Sequence, residues 1–240
     1  MKILVTNDDS ISASQLIPLV RWCQKLGEVT VIVPKYEQSG KSQSIELHKP
    51  IEVKKVQLAE DITAITVDSS PADCVRYAVF GLKEKFDLVV SGINRGFNMG
   101  RDIMYSGTAA GVFEAVSLGM KAIAFSTGPE YYDRATEPLD QVWDFICKHD
   151  LFSLCDLYNV NVIPDAKGIR ITRQGGHFYS DDFVHQGNNL YLAQGKCVYV
   201  NQQDLTLDTD CVMNGYHSIM PLTIDRADMM VYEKIKGLQA

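Results

Sequence analysis

The first 34 residues contain a strand, a helix and a second strand in close succession. Residues 2–6 form a short apolar run that predicts a strand, and the polar tripeptide 7–9 ends it. Gly27 follows a helical pattern as a C-terminal stop, and residues 28–33 predict the second strand. Two strands joined by one short helical crossover run parallel, with a right-handed connection. The chain must therefore build a parallel sheet from its first residues.

Strand and helix patterns continue to alternate until about residue 165. Further strands are predicted over residues 44–56, 61–67, 87–91 and 121–126. Helices are predicted after Ser70, after Ser106 and over residues 139–147. The sequence therefore predicts an α/β fold, with one doubly wound, mostly parallel sheet over residues 1–165.

The character of the chain changes after residue 165. Residues 169–173, 183–184 and 190–200 predict β segments, and apolar residues between 227 and 238 predict a C-terminal amphipathic helix. We expect residues 166–240 to form a β-rich arm followed by this helix. Such an appendage buries little core of its own, so the sequence favours a homo-oligomer in which the arm and helix serve assembly.

Composition excludes several classes of protein. A formal net charge of −7 over 240 residues argues against a protein that coats nucleic acid or lies on a membrane surface. The sequence contains no apolar stretch of about 18 to 20 residues and no signal-peptide core, which predicts a cytoplasmic protein. The six cysteines show no CxxC spacing, so we expect reduced and buried thiols, such as those of Cys23, Cys74 and Cys147.

Three loops are predicted to meet at one edge of the sheet. Residues 7–10, 34–44 and 91–108 each follow a predicted strand and are rich in side chains that carry oxygen. In an open parallel sheet, ligands bind at the carboxyl ends of the strands. We therefore expect the functional site where these loops converge.

Asp8 and Asp9 directly follow the first strand. Adjacent carboxylates at a crowded strand end raise each other's pKa, and a divalent cation relieves that conflict. In the alternative interpretation, one aspartate caps the next helix and the other is solvated. The pair alone leaves both interpretations open, and the first would make it a site for a hard cation such as Mg²⁺, Mn²⁺ or Ca²⁺.

The second loop allows an anion site, and the third loop favours one. Residues 39–42 read Ser-Gly-Lys-Ser but lack the upstream glycine of a phosphate-binding GxxxxGK[ST] loop, so they form either an anion-binding loop or an ordinary polar turn. Residues 91–119 contain six of the 17 glycines, and Ser106-Gly107-Thr108 opens a helix whose free N–H groups suit an anion. A metal site that faces a phosphate site indicates metal-assisted hydrolysis of a phosphate ester.

Four segments together resemble the SurE (survival protein E) family of 5′/3′-nucleotidases. They read KILVTNDDSI (2–11), SSPADCV (69–75), VSGINRGFNMGRDIMYSGTAAG (90–111) and DTDCVMNGYHSIMPL (208–222). The resemblance implies a Rossmann-like domain with a C-terminal β-arm and helix exchanged in a homodimer or homotetramer. It also implies hydrolysis of nucleoside monophosphates, and in some members of short polyphosphate, with one divalent cation per subunit.

The resemblance also implies roles for individual residues. The metal ligands correspond to Asp8, Asp9, Ser39 and Asn94, and the phosphate-binding set corresponds to Gly40, Asn98, Ser106, Gly107 and Thr108. Beyond the resemblance, our mechanistic hypothesis is that Asp8 or Asp9 accepts the proton of the attacking water and that Lys41 adds charge if it points inward.

Several residues depart from the family pattern. Ser10 replaces a usual glycine, Phe97 a usual proline and Lys41 a usual small residue, and Ala109 and Ala115 also differ. The ligand set survives these changes, which bear on loop geometry and substrate preference. The rival interpretation is a nucleotide- or phosphate-binding regulatory module on the same fold, since fold alone does not establish catalysis.

Overall fold

A nine-stranded mixed sheet forms the centre of the molecule, described here from a computed structural model over residues 1–238. The last two positions of the predicted 166–240 segment lie outside the described residues. The strands are β1 (Lys2–Thr6), β2 (Glu28–Pro34), β3 (Val53–Ala59), β4 (Ile62–Val67), β5 (Leu88–Arg95), β6 (Lys121–Thr127), β7 (Leu157–Asn161), β8 (Ile169–Ile171), β9 (Tyr179–Gly187), β10 (Leu190–Cys197) and β11 (His217–Pro221). Their order in the main sheet is β3-β4-β2-β1-β5-β6-β7-β11-β8.

The six strands from β4 to β7 in this order are parallel, as the sequence predicts. The helices are α1 (Leu16–Gln24), α2 (Pro71–Arg76), α3 (Gly107–Ser117), α4 (Leu139–Lys148), α5 (Asp208–Met213) and α6 (Met229–Ile235). Buried side chains of α1 and α4 pack in one core cluster with one face of the sheet, and those of α2 and α3 pack in a second. The doubly wound α/β fold is therefore confirmed.

Strand order places a topological switch point at β1. The chain moves from β1 to β2 in one direction and later inserts β5 on the other side of β1. Connections leave such a point in opposite directions, and the resulting crevice at the carboxyl ends of the strands is where open α/β sheets bind ligands. Asp8, Asp9 and Asn94 all lie there, at the ends of β1 and β5.

Part of the chain beyond residue 165 completes the main sheet. β11 pairs antiparallel with β7 and parallel with β8, while α5 precedes β11. The patterns of the sequence predict neither β7 nor α5 nor β11, because each contains several polar residues that are nevertheless buried. Most of these polar side chains make hydrogen bonds to residues distant in the sequence, which periodicity does not reveal.

The arm is a separate two-stranded hairpin of β9 and β10. Its side chains are exposed along almost its whole length, including Phe183 at 71% and Leu192 at 60%. The α6 helix buries no residue. Two-stranded sheets are only marginally stable alone in water.

Two local predictions are wrong. The strand predicted over residues 44–56 begins only at Val53, after Pro50, which cannot donate to a sheet ladder. Cys147 is exposed, because α4 buries Leu139, Val142 and Ile146 and the next position turns away from the core. Cys23 and Cys74 are buried as predicted.

Candidate active site

Asp8 lies at the centre of the contacts at the switch point. Its side chain is 3% exposed, and its carboxylate accepts a hydrogen bond from the Thr108 hydroxyl. Its backbone carbonyl accepts the Gln38 N–H at 2.8 Å. The end of β1, the loop after β2 and the start of α3 are thus joined through one residue, which confirms that these loops converge.

Gly107 allows α3 to approach Asp8 closely. A Cβ atom at this position would lie 2.7 Å from Asp8 Cβ, 2.8 Å from Asp8 Oδ2 and 2.9 Å from the Gln38 carbonyl oxygen. Real Cβ contacts are essentially never shorter than 3.0 Å. Only glycine therefore lets the first turn of α3 face the acidic pair at this distance.

Asp9 is partly buried and lies against β5. Its Oδ2 accepts the Arg95 backbone N–H at 3.1 Å, which places it next to Asn94. Burial raises the pKa of Asp9, and the nearby Glu37 carboxylate raises it further. Burial also raises the pKa of Asp8 to about 6, with a further contribution from Asp9. The two carboxylates are therefore held together at an electrostatic cost.

The side chains at this point fit a hard divalent cation. One oxygen of each carboxylate is engaged, by Thr108 for Asp8 and by Arg95 for Asp9, and each keeps a second oxygen. The Asn94 amide nitrogen donates to the Gly96 carbonyl at 2.8 Å, which leaves the Asn94 Oδ1 as an acceptor. Carboxylate and amide oxygens are the ligands such cations prefer. Residues 1–238 contain no cluster of three or more His, Cys, Asp or Glu side chains that could hold a metal ion. The fit to a cation therefore rests on two carboxylates and one amide.

Residues 39–41 lie on an exposed loop beside this group. The Ser39 hydroxyl donates to Glu37 at 2.8 Å rather than to either aspartate, and the Lys41 N–H closes a turn onto the Gln38 carbonyl at 3.2 Å. Gly40 has a φ of +71°, a conformation that favours glycine. The structure brings this loop next to Asp8 through Gln38 but shows no contact of Ser39, Gly40 or Lys41 with the carboxylates.

The start of α3 has the form expected of an anion site. Ser106 is the N-cap, and its hydroxyl accepts the Ala109 N–H at 3.0 Å. The other N–H groups of the first turn lie at the positive end of an eleven-residue helix. Thr108 differs from the prediction, since its hydroxyl donates to Asp8 and its backbone N–H also interacts with the Asp8 carboxylate and lowers the pKa of Asp8.

A family model described as survival protein SurE matches residues 3–181. The chain belongs to this family. A 5′-nucleotidase SurE from Thermosipho melanesiensis is 36% identical over 236 residues, covering 93% of this chain and 92% of that protein. A second, from Natranaerobius thermophilus, is 36% identical over 255 residues and covers 99% and 98%. A crystal structure of SurE protein from Aquifex aeolicus has a TM-score of 0.79 and 31% identity over the full length of both chains.

These relatives confirm the SurE resemblance and the Rossmann-like fold inferred from the sequence. The relatives from Thermosipho and Natranaerobius are 5′-nucleotidases by name, which confirms the predicted class of phosphoric monoester hydrolase. No helix among residues 1–238 is long and apolar enough to cross a membrane.

Two departures of this SurE chain from the family pattern have visible structural consequences. Ser10 has a φ of +74°, the left-handed region where the usual glycine is free of strain. Phe97 packs in a small apolar cluster with Met99, Phe178, Tyr199 and Val212. This cluster joins the glycine-rich loop of the SurE site to the base of the arm.

Sequence reasoning missed the residues that support Asn98. This side chain and its backbone are hydrogen-bonded to Ser126, Asn159 and Asn161, from the adjacent strands β6 and β7. Two asparagines at alternate positions of an otherwise apolar strand were the available signal, because side chains two apart share one face of a sheet.

A cavity of about 1180 Å³ lies on the far side of Tyr105 and Ser106. Its lining includes Phe113, Met220 and Leu222, but not Asp8, Asp9, Asn94 or Asn98. In this SurE-family chain the cavity is therefore next to the start of α3 but distinct from the acidic pair.

Proposed function

We propose that this protein is a divalent-metal-dependent phosphatase that hydrolyses nucleoside monophosphates, a 5′-nucleotidase. The observation that carries the proposal is the Asp8–Asp9 pair: Asp8 is buried against Gly107 at the start of α3, and Asp9 is partly buried beside it. A pure anion-binding module would be weakened by two carboxylates at this point. The 36% identical relatives named 5′-nucleotidase SurE support the same activity.

In this proposal Asp8, Asp9, Asn94 and Ser39 hold one Mg²⁺ or Mn²⁺ ion. When bound, the cation supplies positive charge that offsets the charge developing on the phosphoryl oxygens. Ser39 must turn from Glu37 toward the carboxylates to join the set, which the exposed loop allows.

The remaining residues bind and orient the phosphoryl group. The Gly107 backbone N–H and the Ser106 hydroxyl donate to its oxygens at the positive end of α3, and Thr108, Gly40 and Asn98 complete the phosphate-binding set. Lys41 adds a positive charge when its side chain turns toward the substrate. Asp8 or Asp9 accepts the proton of the attacking water.

Phosphate release tests this proposal. The purified protein is assayed with Mg²⁺, Mn²⁺ or EDTA against nucleoside 5′- and 3′-monophosphates and short polyphosphate. We expect metal-dependent release from monophosphates, and loss of that release in Asp9→Asn. The matched control is Asp68→Asn, an exposed carboxylate beyond the end of β4 on the same edge of the sheet.

Two results would overturn the proposal. Full activity in Asp9→Asn would remove Asp9 from the metal site. Nucleotide binding by the wild type without release under any metal would favour the regulatory binding module.

We also propose that, within residues 166–240, the β9–β10 arm and α6 serve assembly into a homodimer or homotetramer in the cytoplasm. The exposed apolar side chains of the arm and of α6 support the assembly, since monomers rarely expose so much apolar surface. Light scattering after size-exclusion chromatography measures the oligomeric state. A Phe183→Ser/Leu192→Ser variant should shift it toward the monomer, and a monomeric wild type would refute the assignment.

A further inference from the structure

The peptide group of Asn98 is held by one side chain in a two-point contact. The Asn98 N–H donates to Asn161 Oδ1 at 3.0 Å, and Asn161 Nδ2 donates to the Asn98 carbonyl at 2.8 Å. A backbone N–H only donates and a carbonyl only accepts, so the orientation of the Asn161 amide is fixed. Asn161 thus both donates to and accepts from the backbone of Asn98, as a neighbouring β-strand would.

A second asparagine strengthens this contact at a cost. Asn159 Nδ2 donates to the same Asn98 carbonyl at 2.8 Å. Asn159 and Asn161 are both 0% exposed, and Asn159 Oδ1 has no hydrogen-bond partner among the described residues. A buried polar atom without a partner destabilises a fold, and an apolar side chain would avoid that penalty. The amide at position 159 is therefore explained by what it holds rather than by stability.

The side chain of Asn98 is oriented from the next strand. Asn98 Nδ2 donates one hydrogen to Ser126 Oγ at 2.8 Å, and Ser126 is the register partner of Asn161. An asparagine amide carries two such hydrogens, so one remains for a ligand. Asn98 itself is only partly buried. Its backbone and one side-chain hydrogen are bound to the sheet, while the other hydrogen is kept for the site.

We propose that Asn161 and Asn159 are positioning residues that hold Asn98 in place to bind the phosphoryl group of the substrate. This inference rests on the proposed function, because the phosphate contact of Asn98 belongs to that proposal. The support comes from β7, a strand that carries none of the predicted metal or phosphate residues.

The test uses Asn161→Leu and Asn159→Leu in the full-length protein. We expect Asn161→Leu to raise KM for a nucleoside monophosphate, and the inhibition constant of inorganic phosphate, by about 10-fold or more, with kcat changed less than about threefold. Hydrogen exchange of the Asn98 amide should accelerate by about 10-fold or more, because its acceptor is gone. Asn159→Leu should raise KM several-fold while its Tm stays equal or rises, since the unpartnered oxygen is removed.

A matched control and a double-mutant cycle separate positioning from general damage. Thr127→Val removes a buried hydrogen bond to the Val162 carbonyl beside Ser126, without touching Asn98, and should leave KM unchanged. In an Asn98→Ala background, Asn161→Leu should change KM by less than about twofold, since its effect passes through Asn98.

The outcomes distinguish this inference from the proposed function. Unchanged Asn98 exchange and KM in Asn161→Leu, or equal effects in both backgrounds, would overturn the positioning role. A wild-type KM in Asn98→Ala would overturn the phosphate contact of Asn98 and this inference with it, while leaving nucleotide hydrolysis standing. A wild type without turnover would defeat the proposed function. Titration of inorganic phosphate and Asn98 exchange would then decide the positioning role alone.

Discussion

Replacing Gly107 by alanine should disable the site with only a modest effect on the fold. The new Cβ would lie 2.7 to 2.9 Å from two Asp8 atoms and the Gln38 carbonyl, against an ordinary contact distance of at least 3.4 Å. Asp8 cannot easily move aside, because its carboxylate is bonded to Thr108 and its carbonyl to Gln38. Relief therefore requires a displacement of about 0.5 to 0.7 Å at the acidic pair or at α3, by subtraction of those distances.

The two effects on stability oppose each other. Alanine in place of glycine within a helix gains about 0.5 to 1 kcal/mol, and overpacking a buried contact costs about 1 to 3 kcal/mol. The net loss in the free energy of unfolding is then about 0 to 2.5 kcal/mol. Misplacing a catalytic group by a sizeable fraction of an ångström costs far more in rate, so we expect kcat/KM to fall by about 100-fold.

Urea unfolding followed by circular dichroism measures the free energy of unfolding, and phosphate release with Mg²⁺ or Mn²⁺ measures kcat/KM. Gly176→Ala is the matched control, because a Cβ there meets no atom within 4 Å, and both quantities should stay near the wild type. Wild-type kcat/KM in Gly107→Ala would refute the claim that close approach of α3 to Asp8 forms the site.

Three further predictions concern buried ionisable side chains. His217 is 1% exposed, burial lowers its pKa from 6.5 to about 4, and its Nδ1 accepts the Ile163 N–H. Because the folded pKa lies below the unfolded value, stability should fall by about 2 to 3 kcal/mol as the pH drops from 7 to 4, and His217→Gln should flatten that part of the urea-unfolding profile. Asp8 has a folded pKa above its unfolded value of 3.8, so it destabilises the metal-free protein as pH rises through about 6. Asp8→Asn should therefore gain about 2 to 3 kcal/mol at pH 8 in EDTA while losing turnover, and an unchanged Tm there would contradict the assignment. Glu114 is buried and bonded to Arg76 and Gln43, so Glu114→Leu should lose about 1 to 3 kcal/mol by urea unfolding, whereas no loss would show that these contacts contribute little.

The parallel sheet could be predicted because its information is local. The run at residues 2–6, the stop at Gly27 and the strand at 28–33 each follow from short-range periodicity, and handedness rules supply their arrangement. The strand β11 could not be predicted in this way, since His217 and Ser218 are buried polar residues within it. His217 is hydrogen-bonded to Ile163, 54 residues away, and Ser218 to Thr172, 46 residues away, and the burial of both depends on these partners.

The candidate site also has parts that could be predicted from the sequence and parts that could not. Convergence of Asp8 with the start of α3 follows from the rule that ligands bind at the carboxyl ends of parallel strands, and the structure confirms it. The Thr108–Asp8 bond and the close approach of Gly107 depend on tertiary distances that no spacing in the sequence encodes. Ser39 illustrates the limit most clearly, because its proposed role requires a rotation that neither pattern nor fold specifies.

The attachment of Asn98 to β7 has a consequence for synthesis of the chain. The whole proposed set of metal and phosphate residues has been translated by position 108, but Asn161 is made 53 residues later. At the usual pace of translation, about 5 to 20 residues per second, that interval is about 3 to 10 s. A nascent chain therefore carries every reactive group before it can hold Asn98 in place. Tight binding of the substrate should therefore begin only after β7 has joined the sheet, so full substrate affinity depends on a strand that is synthesised after the site residues.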